Sequence, residues 1–285
     1  MRARSLGGQR IAILGAGAGG LASVAHLMAR GHDVALYDLP EFAEALAPVR
    51  EGGIHVFGAL PEAHYHPPLV TTDIGEALHD ARLIFLVAPA YGHARFVDLL
   101  APWLRDDHIL VLNPGGVGGA LEIAHTLKIR PHGSLPLIAE SANLVYAVNK
   151  ATPSPQHGPV DVRINGVKTQ VPVAAFPARR TRDLLVTLGA VVPEFVGARD
   201  VLETSLQNIN IVLHPALFLS NLSRVEGAED WGLFRSGLTR AVASLIEAID
   251  EERLSTLRAL ELPETSLAQW IARYSSETTP RCTAK

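Results

Sequence analysis

The sequence predicts an α/β fold with a doubly wound parallel sheet, followed by a smaller all-α domain. Three observations support this prediction. The chain opens on an apolar strand that runs into glycines spaced G-x-G-x-x-G, later apolar strands alternate with helical segments, and after Val201 the pattern is helical throughout. We place the domain boundary at residue 198, so that residues 1–198 form the first domain and residues 199–285 the second.

The composition limits the classes of function. The chain has 285 residues, 48% of them hydrophobic, which is sufficient for a large core. Its net charge of −4 indicates no basic stripe, so we expect no nucleic-acid partner. A single cysteine, Cys282, excludes an internal disulfide and a cysteine-built metal site, so we predict no bound metal and expect a reducing, cytoplasmic location. Because no apolar run is long enough to cross a bilayer, we expect no membrane contact.

The turn after the first strand predicts a dinucleotide site of the Rossmann type. Gly15 allows the tight turn, Gly17 lets a pyrophosphate approach the backbone, and Gly20 lets the next helix pack closely. The start of that helix supplies free N–H groups and the positive end of a dipole. The predicted cofactor-binding residues of this loop are Gly15, Ala16, Gly17, Ala18 and Gly20.

Asp38 favours NAD(H) over NADP(H). It ends the second strand-like run, 18 residues after Gly20. A carboxylate at that position accepts a hydrogen bond from the ribose 2′-OH and repels a 2′-phosphate, which normally requires an arginine. An ordinary turn acid that caps a helix starting at Glu41 is the alternative, and the two roles are compatible.

Two later strands end in loops that we expect to face the nicotinamide end of the cofactor. The continuous apolar runs at 83–87 and 109–112 are typical of central strands. Ligands of open α/β sheets bind outside the carboxyl ends of such strands. We therefore predict cofactor contacts at Pro89 and Ala90. For the glycine-rich loop at 113–119, close approach to a ligand and a plain turn remain alternatives.

Three local patterns predict further structure. The alternating residues around Asn165-Gly166 predict a hairpin with strands at 160–164 and 169–173. His64 and His66 are flanked by prolines, which favours a solvated loop over a metal site. Apolar residues at 241, 242, 245, 246 and 249 predict one buried helix face, with Asp250 on or near the opposite face.

His214 is the candidate proton donor. A dehydrogenase needs a group that protonates the developing alkoxide or amine as hydride arrives, and imidazole titrates near neutral pH. His214 lies in an apolar helical stretch directly before Pro215, where we expect the helix to kink or begin. From the local sequence alone, a hydrogen-bonded core histidine is the alternative.

Seven segments together indicate a known family. They are GAGAGG at 15–20, APAYGH at 88–93, NPGGVGGALE at 113–122, AES at 139–141, LET at 202–204, NINIVLHP at 208–215 and DEERL at 250–254. In this order they resemble the octopine/opine dehydrogenase family over nearly the whole chain. The resemblance implies an oxidoreductase acting on CH-NH donors, which uses NAD(P)H to condense a 2-oxo acid reductively with the amino group of an amino acid.

The resemblance also implies roles for individual residues. His214 matches the family's general acid/base, and Glu140, Ser141 and Asn210 are expected at the substrate. The family's helical domain continues beyond 274 with an aspartate that orients the histidine, whereas this chain ends in a short polar tail; we consider Asp230 and Glu226 as substitutes. A weakly active or non-catalytic NAD-binding protein and a simple 2- or 3-hydroxyacid dehydrogenase are the alternatives. A short helical domain also predicts exposed apolar surface that a homodimer would cover.

Overall fold

A computed structural model of the protein describes residues 9–128, 136–148, 150–154, 158–227, 231–234 and 236–278. The chain divides into two compact units, of which the first ends at Ser205 and the second begins at Leu206. The boundary that we predict at residue 198 lies before the helix that crosses from one unit to the next.

Strands and helices alternate along most of the first unit. Its strands are β1 (Arg10–Leu14), β2 (Val34–Tyr37), β3 (Ile54–Gly58), β4 (Ala63–Tyr65), β5 (Leu69–Thr71), β6 (Ala81–Leu86), β7 (Ile109–Leu112), β8 (Leu137–Ser141), β9 (Tyr146–Val148), β10 (Thr152–Ser154), β11 (Gly158–Val167), β12 (Val171–Phe176) and β13 (Phe195–Gly197). Its helices are α1 (Ala18–Ala29), α2 (Ala43–Gly52), α3 (Ile74–Leu78), α4 (His93–Leu100), α5 (Gly119–Lys128), α6 (Thr181–Gly189) and α7 (Val201–Leu206), the last of which crosses the boundary.

The main sheet of this unit has eight strands in the order β13-β12-β8-β7-β6-β1-β2-β5. The neighbours from β5 to β8 all run parallel. Their order along the chain corresponds to the 3-2-1-4-5-6 order of dinucleotide-binding folds. Strand β12 pairs antiparallel with β8, and β13 pairs parallel with β12. The structure therefore confirms the α/β class and the parallel sheet that the sequence predicts.

The central strands are apolar on both faces because the sheet is covered from each side. In β1, Ile11 and Ile13 join one core cluster, whereas Ala12 and Leu14 join the other. All four side chains are fully buried. A strand that is buried on both faces has no polar face to alternate with, which explains its continuous apolar sequence.

The predicted hairpin at Asn165-Gly166 is wrong. Strand β11 runs straight through these residues, and Gly166 pairs with Ala147 of β9. Residues 160–164 of the same strand pair with β3 in a second sheet, of order β10-β11-β3-β4. The chain turns only afterwards, at Gln170, which has a φ of 53°, and β12 then joins the main sheet. The pairing of Gly166 and Val167 with β9 outweighs the local turn preference of the Asn-Gly pair.

The histidine-rich segment near residue 64 is a strand rather than a loop. His64 lies on β4 opposite His55 of β3, and the two rings stack with 4.5 Å between centroids. His64 is exposed, as expected for a solvated segment, but His55 is buried. The Nδ1 of His55 lies 2.8 Å from Asp161 and its Nε2 lies 3.2 Å from Glu62. The prolines flank this edge strand without preventing it.

The second unit is helical, as predicted. Its core is formed by Ile209, Val212, Leu213, Ala216, Leu217, Ile246 and Leu267. The helices of this unit are α8 (Asn210–Ser220), α9 (Leu222–Glu226), α10 (Arg240–Ala259) and α11 (Leu267–Thr278). Helix α8 does not begin at Pro215, since it starts five residues earlier at Asn210, whose backbone N–H donates to the side chain of Asn208.

Helix α10 buries a charged pair that the sequence pattern places on its polar face. Asp250 and Arg253 are each 5% exposed, whereas Leu245, predicted on the buried face, is 46% exposed. The Oδ1 of Asp250 accepts hydrogen bonds from the guanidinium of Arg253, and its Oδ2 accepts one from the Leu267 backbone. The guanidinium also donates to the carbonyls of Leu206 and Thr265. The prediction for Asp250 is therefore wrong, because an arginine one turn away satisfies its charge inside the unit.

Candidate functional site

The loops that follow β1, β6, β7 and β8 meet at one edge of the main sheet. The Val87 backbone N–H donates to the Leu14 carbonyl at 2.8 Å, and the Asn113 N–H donates to the Leu86 carbonyl at 2.9 Å. Because these strands are parallel, all four loops lie at their carboxyl ends. This is the edge at which open α/β sheets bind ligands.

The glycine-rich loop has the geometry that its spacing predicts. Gly15 has a φ of 107°, and a Cβ there would lie 2.3 Å from the Val87 carbonyl oxygen. A Cβ at Gly20 would lie 1.8 Å from the Gly15 carbonyl oxygen, so the helix approaches the turn only because both residues lack a side chain. At Gly17, apart from its two neighbours in the chain, no atom of the described residues lies within 4 Å of such a Cβ position. Gly17 also caps the start of α1, whose first turn holds no acidic side chain. An anionic group can therefore approach the free N–H groups of Ala18 and its neighbours.

Asp38 connects the end of β2 to the glycine-rich loop. Its Oδ2 accepts a hydrogen bond of 2.8 Å from the Ala16 backbone, and its Oδ1 accepts one of 2.8 Å from Leu39. Burial raises the pKa of Asp38, and these two hydrogen bonds oppose the rise. The carboxylate does not cap a helix at Glu41, because its acceptor atoms point to the glycine-rich loop and to Leu39 instead.

The loop after β6 exposes the two residues predicted to contact the cofactor. Pro89 and Ala90 are both exposed, and Tyr91 beside them is 91% exposed. His93 follows as the first residue of α4 and is buried, with 3.1 Å between its Nε2 and the Ala88 carbonyl oxygen. Burial lowers the pKa of His93, which favours the neutral ring. The buried ring of His93 therefore fixes this loop through its contact with the Ala88 carbonyl.

Glu140 lies fully buried at the end of β8 and connects three segments. Its Oε1 accepts hydrogen bonds from the hydroxyls of Thr204 at 2.7 Å and Ser205 at 2.9 Å. Its Oε2 accepts one of 2.8 Å from the Ala120 backbone in the first turn of α5. Burial raises the pKa of Glu140, and the bonds from Thr204, Ala120 and Ser205 oppose the rise. The Glu140 side chain is thus accessible neither to solvent nor to a ligand in this structure.

Ser141 and the loop at 113–119 pack around the end of β8 that carries the Glu140 carboxylate. Ser141, also buried, donates from Oγ to the side chain of Asn113 at 2.9 Å. A Cβ at Gly115 would lie 2.6 Å from the Glu140 Oε2, and the Gly118 N–H donates to the Ser205 hydroxyl. The loop at 113–119 is therefore packed around Glu140, and its close approach to a ligand stays a prediction.

Replacing Glu140 with glutamine is expected to destabilise the protein by about 1–3 kcal/mol. The amide NH₂ is a donor, and it would replace an oxygen that now accepts from the Ala120 N–H or from the two hydroxyls, so at least one buried donor would lose its acceptor. The measurement is urea unfolding followed by circular dichroism. Glu122→Gln, which changes an exposed acid on helix α5, is the matched control. Equal stability of both variants would contradict a structural role for the Glu140 charge.

In the second unit, His214 and Asn210 lie on α8 about one turn apart, and both side chains are half-buried. The imidazole of His214 meets the Phe234 ring edge-on, with 6.0 Å between centroids, and Phe234 is 56% exposed. His214 is therefore not enclosed in the core of its unit. Glu226 ends α9 with an exposed side chain, and Asp230 lies outside the described residues.

Three buried side chains that bind the acids Glu140 and Asp250 are not predicted from the sequence. Thr204 and Ser205 bind the Glu140 carboxylate, and Arg253 pairs with Asp250. Thr204 and Arg253 belong to the LET and DEERL segments, which carry the family resemblance, and Ser205 directly follows LET. Nothing in the local sequence indicates which partner each side chain meets.

Within the described ranges, no group of three or more His, Cys, Asp or Glu side chains is arranged to hold a metal ion. The helices of those ranges are too short or too polar to span a bilayer. The candidate residues fall into two groups. The glycine-rich loop, Asp38, Pro89, Ala90, Glu140 and Ser141 lie in the first unit, and Asn210 and His214 lie in the second.

Comparison with known proteins identifies relatives of both units. Residues 197–283 match the family model of the NAD/NADP octopine/nopaline dehydrogenase alpha-helical domain, and residues 11–135 match that of ketopantoate reductase PanE/ApbA. An opine dehydrogenase from Arthrobacter sp. (strain 1C) is 33% identical over 91% of this chain and 70% of its own length. An opine dehydrogenase from Haliotis discus hannai is 22% identical over 72% of this chain and 51% of its own length.

Solved structures agree with the fold. Octopine dehydrogenase in complex with NADH and agmatine superimposes with a TM-score of 0.69 at 20% identity, covering 94% of this chain and 70% of the other. D-mandelate dehydrogenase with NADH and anilino(oxo)acetate gives 0.65 at 17% identity, covering 96% and 81%. The extended match to the Arthrobacter enzyme is the stronger finding, and from it we conclude that the chain belongs to the opine dehydrogenase family.

Proposed function

We propose that this protein is an NAD(H)-dependent opine dehydrogenase. It reduces the imine that forms between a 2-oxo acid and the amino group of an amino acid, and the product is a secondary amine with two carboxylates. The observation that carries the proposal is the 33% identity to an opine dehydrogenase over 91% of the chain. The glycine-rich loop and the helical-domain match are consistent with it.

The residues at the sheet edge fit a dinucleotide. The open space at Gly17 and the free N–H groups at the start of α1 suit a pyrophosphate. Asp38, which binds the Ala16 backbone, lies where a ribose 2′-OH would donate to it, and it supports NAD(H) over NADP(H). Pro89 and Ala90 expose backbone for the nicotinamide end. When bound, the reduced cofactor supplies the hydride.

We assign proton transfer to His214. Reduction of an imine carbon leaves the nitrogen in need of a proton unless the iminium already carries it, and imidazole can donate and accept a proton near neutral pH. The half-buried ring of His214 and the NINIVLHP segment around it support this assignment. Asn210, one turn earlier on the same helix, is our candidate for a hydrogen bond to the substrate.

Glu140 and Ser141 serve the substrate indirectly in this proposal. Both side chains are buried and hydrogen-bonded, so they fix the loop at 113–119 rather than contact the ligand themselves. This differs from the direct contact that the family resemblance implies.

The experiment that tests the function is NADH oxidation with pyruvate and a panel of amino acids. We expect turnover only when both substrates are present, and a lower rate with NADPH than with NADH. Turnover with the oxo acid alone would indicate a hydroxyacid dehydrogenase, and NADH binding without turnover would indicate a non-catalytic NAD-binding protein. Family membership favours neither alternative.

A homodimer and a cytoplasmic location stay predictions. Apolar side chains on α8 support the first, since Leu219 is 72% exposed and Phe218 is 45% exposed. Sedimentation equilibrium decides between one copy and two, and cell fractionation tests the location.

A further inference from the structure

Lys168 lies at the edge of the main sheet where ligands are expected. Strand β12 runs antiparallel to β8, with Val173 opposite Ser141 and Phe176 opposite Ile138. Strand β12 therefore begins at the edge where β8 ends. Lys168 precedes the first residue of β12, in the connection that leads from the second sheet into the main one. The topology thus brings its side chain to the carboxyl ends of the parallel strands.

Two hydrogen bonds fix Lys168 against the loop after β8. Its backbone N–H donates to the Val145 carbonyl at 2.7 Å, and its Nζ donates to the Leu144 carbonyl at 2.8 Å. The Leu144 side chain in turn packs on the glycine-rich loop, because a Cβ at Gly19 would lie 2.9 Å from its Cδ2. Leu144 thus contacts the Lys168 ammonium through its carbonyl and the first turn of α1 through its side chain.

The loops around Lys168 contain no second lysine or arginine. The segments 15–20, 87–93, 113–119 and 141–145 contain neither lysine, arginine, aspartate nor glutamate, and the carboxylates of Asp38 and Glu140 beside them accept hydrogen bonds from neighbouring groups. The ligands of the proposed function are anionic, since the dinucleotide carries a pyrophosphate and both substrates carry carboxylates. The ammonium of Lys168 therefore adds an attractive charge to the backbone N–H groups that this edge already offers to an anion.

Because the Lys168 ammonium is partly desolvated, a nearby anion would stabilise its charged form. Lys168 is half-buried, and burial lowers its pKa to about 8. Desolvation disfavours the charged form of a lysine, and a nearby anion favours it. An anionic ligand would thus regain part of the free energy that desolvation of the ammonium costs.

We propose that Lys168 is an anion-binding residue of this edge, and that its ammonium pairs with an anionic group of the bound ligand. The group is either the pyrophosphate of the dinucleotide or a substrate carboxylate. The proposal rests on the proposed function for the identity of the ligands, but not for the position of the lysine.

The test compares Lys168→Met, which keeps the length of the side chain without its charge, with Lys168→Arg. NADH affinity is measured by fluorescence titration without substrate, and KM is measured for the oxo acid and the amino acid. We expect the methionine variant to weaken binding of one anionic ligand about 10-fold or more, and the arginine variant to retain much of the affinity. A rise in the Kd for NADH identifies the pyrophosphate, and a rise in one KM at unchanged Kd identifies a carboxylate.

The pH dependence separates binding from a structural role. In the wild type, the affinity for the affected ligand should fall above about pH 8, where the ammonium loses its proton. The methionine variant should lack this change. Arg163→Met, which removes an exposed cation from β11, is the matched control and should leave Kd and KM unchanged.

The outcomes distinguish the two proposals. Lack of amine-dependent turnover in the wild type overturns the proposed function, and the NADH titration and a calorimetric titration with pyruvate still test Lys168. Unchanged Kd and KM in a folded Lys168→Met variant overturn the role of Lys168 alone. A changed melting temperature with unchanged ligand affinity overturns it as well, because the lysine would then be structural.

Discussion

Replacing His214 with alanine is expected to lower kcat for amine-dependent NADH oxidation by about 10²–10⁴-fold, the range typical for loss of a general acid–base group. The imidazole would no longer exchange a proton with the substrate nitrogen during hydride transfer. Since the glycine-rich loop lies in the other unit, the Kd for NADH should change little. Steady-state kinetics with saturating substrates and a fluorescence titration with NADH measure the two quantities.

The control for this variant is His125→Ala, which removes an exposed histidine from α5. It should retain the wild-type kcat. If His214→Ala kept most of its activity, the proton would come from another group or from water, and our assignment of His214 would have to be abandoned.

Replacing Arg253 with methionine is expected to destabilise the second unit by about 3–5 kcal/mol, the range for removal of one partner from a buried ion pair. The carboxylate of Asp250 would remain buried, and of the donors described above only the Leu267 backbone N–H would still reach it. The carbonyls of Leu206 and Thr265 would also lose their donor. Urea unfolding followed by circular dichroism measures the change.

Two further variants make this result specific. Arg258→Met, on the same helix α10, removes an exposed arginine that pairs with Glu251 and Glu264 and should have little effect. The double variant Asp250→Leu/Arg253→Met should be less destabilised than the sum of the single variants, because no charge is left unpaired. Additive losses would show that the two side chains act independently.

The sequence predicts those parts of the fold that neighbouring residues determine. The strand, glycine-rich turn and helix at 11–29 follow from a short run of residues, and the structure has them at the predicted place. The hairpin at Asn165-Gly166 is wrong because Gly166 pairs with Ala147 of strand β9, a contact that the local turn preference does not reveal. Periodicity also misplaced Asp250, since a pattern of polar and apolar residues cannot indicate that a nearby arginine satisfies a buried acid.

In the candidate site, too, the local sequence predicts the environment of some residues and not of others. The positive φ of Gly15, the open space at Gly17 and the close packing at Gly20 are features of backbone geometry that the spacing of the glycines predicts. The environment of Glu140 cannot, because its hydroxyl donors lie 64 and 65 residues further along the chain. Lys168 has no motif around it, and its position at the sheet edge follows only from the topology.

The junction at Glu140 has a consequence for protein engineering. One carboxylate holds together the end of β8, the first turn of α5 and helix α7. A chimera that imports the 113–119 loop from a relative must therefore import a compatible acid and hydroxyl pair with it. The three segments should be exchanged as a matched set, and a graft of the 113–119 loop alone is expected to be less stable, because a side chain at position 115 would collide with Glu140.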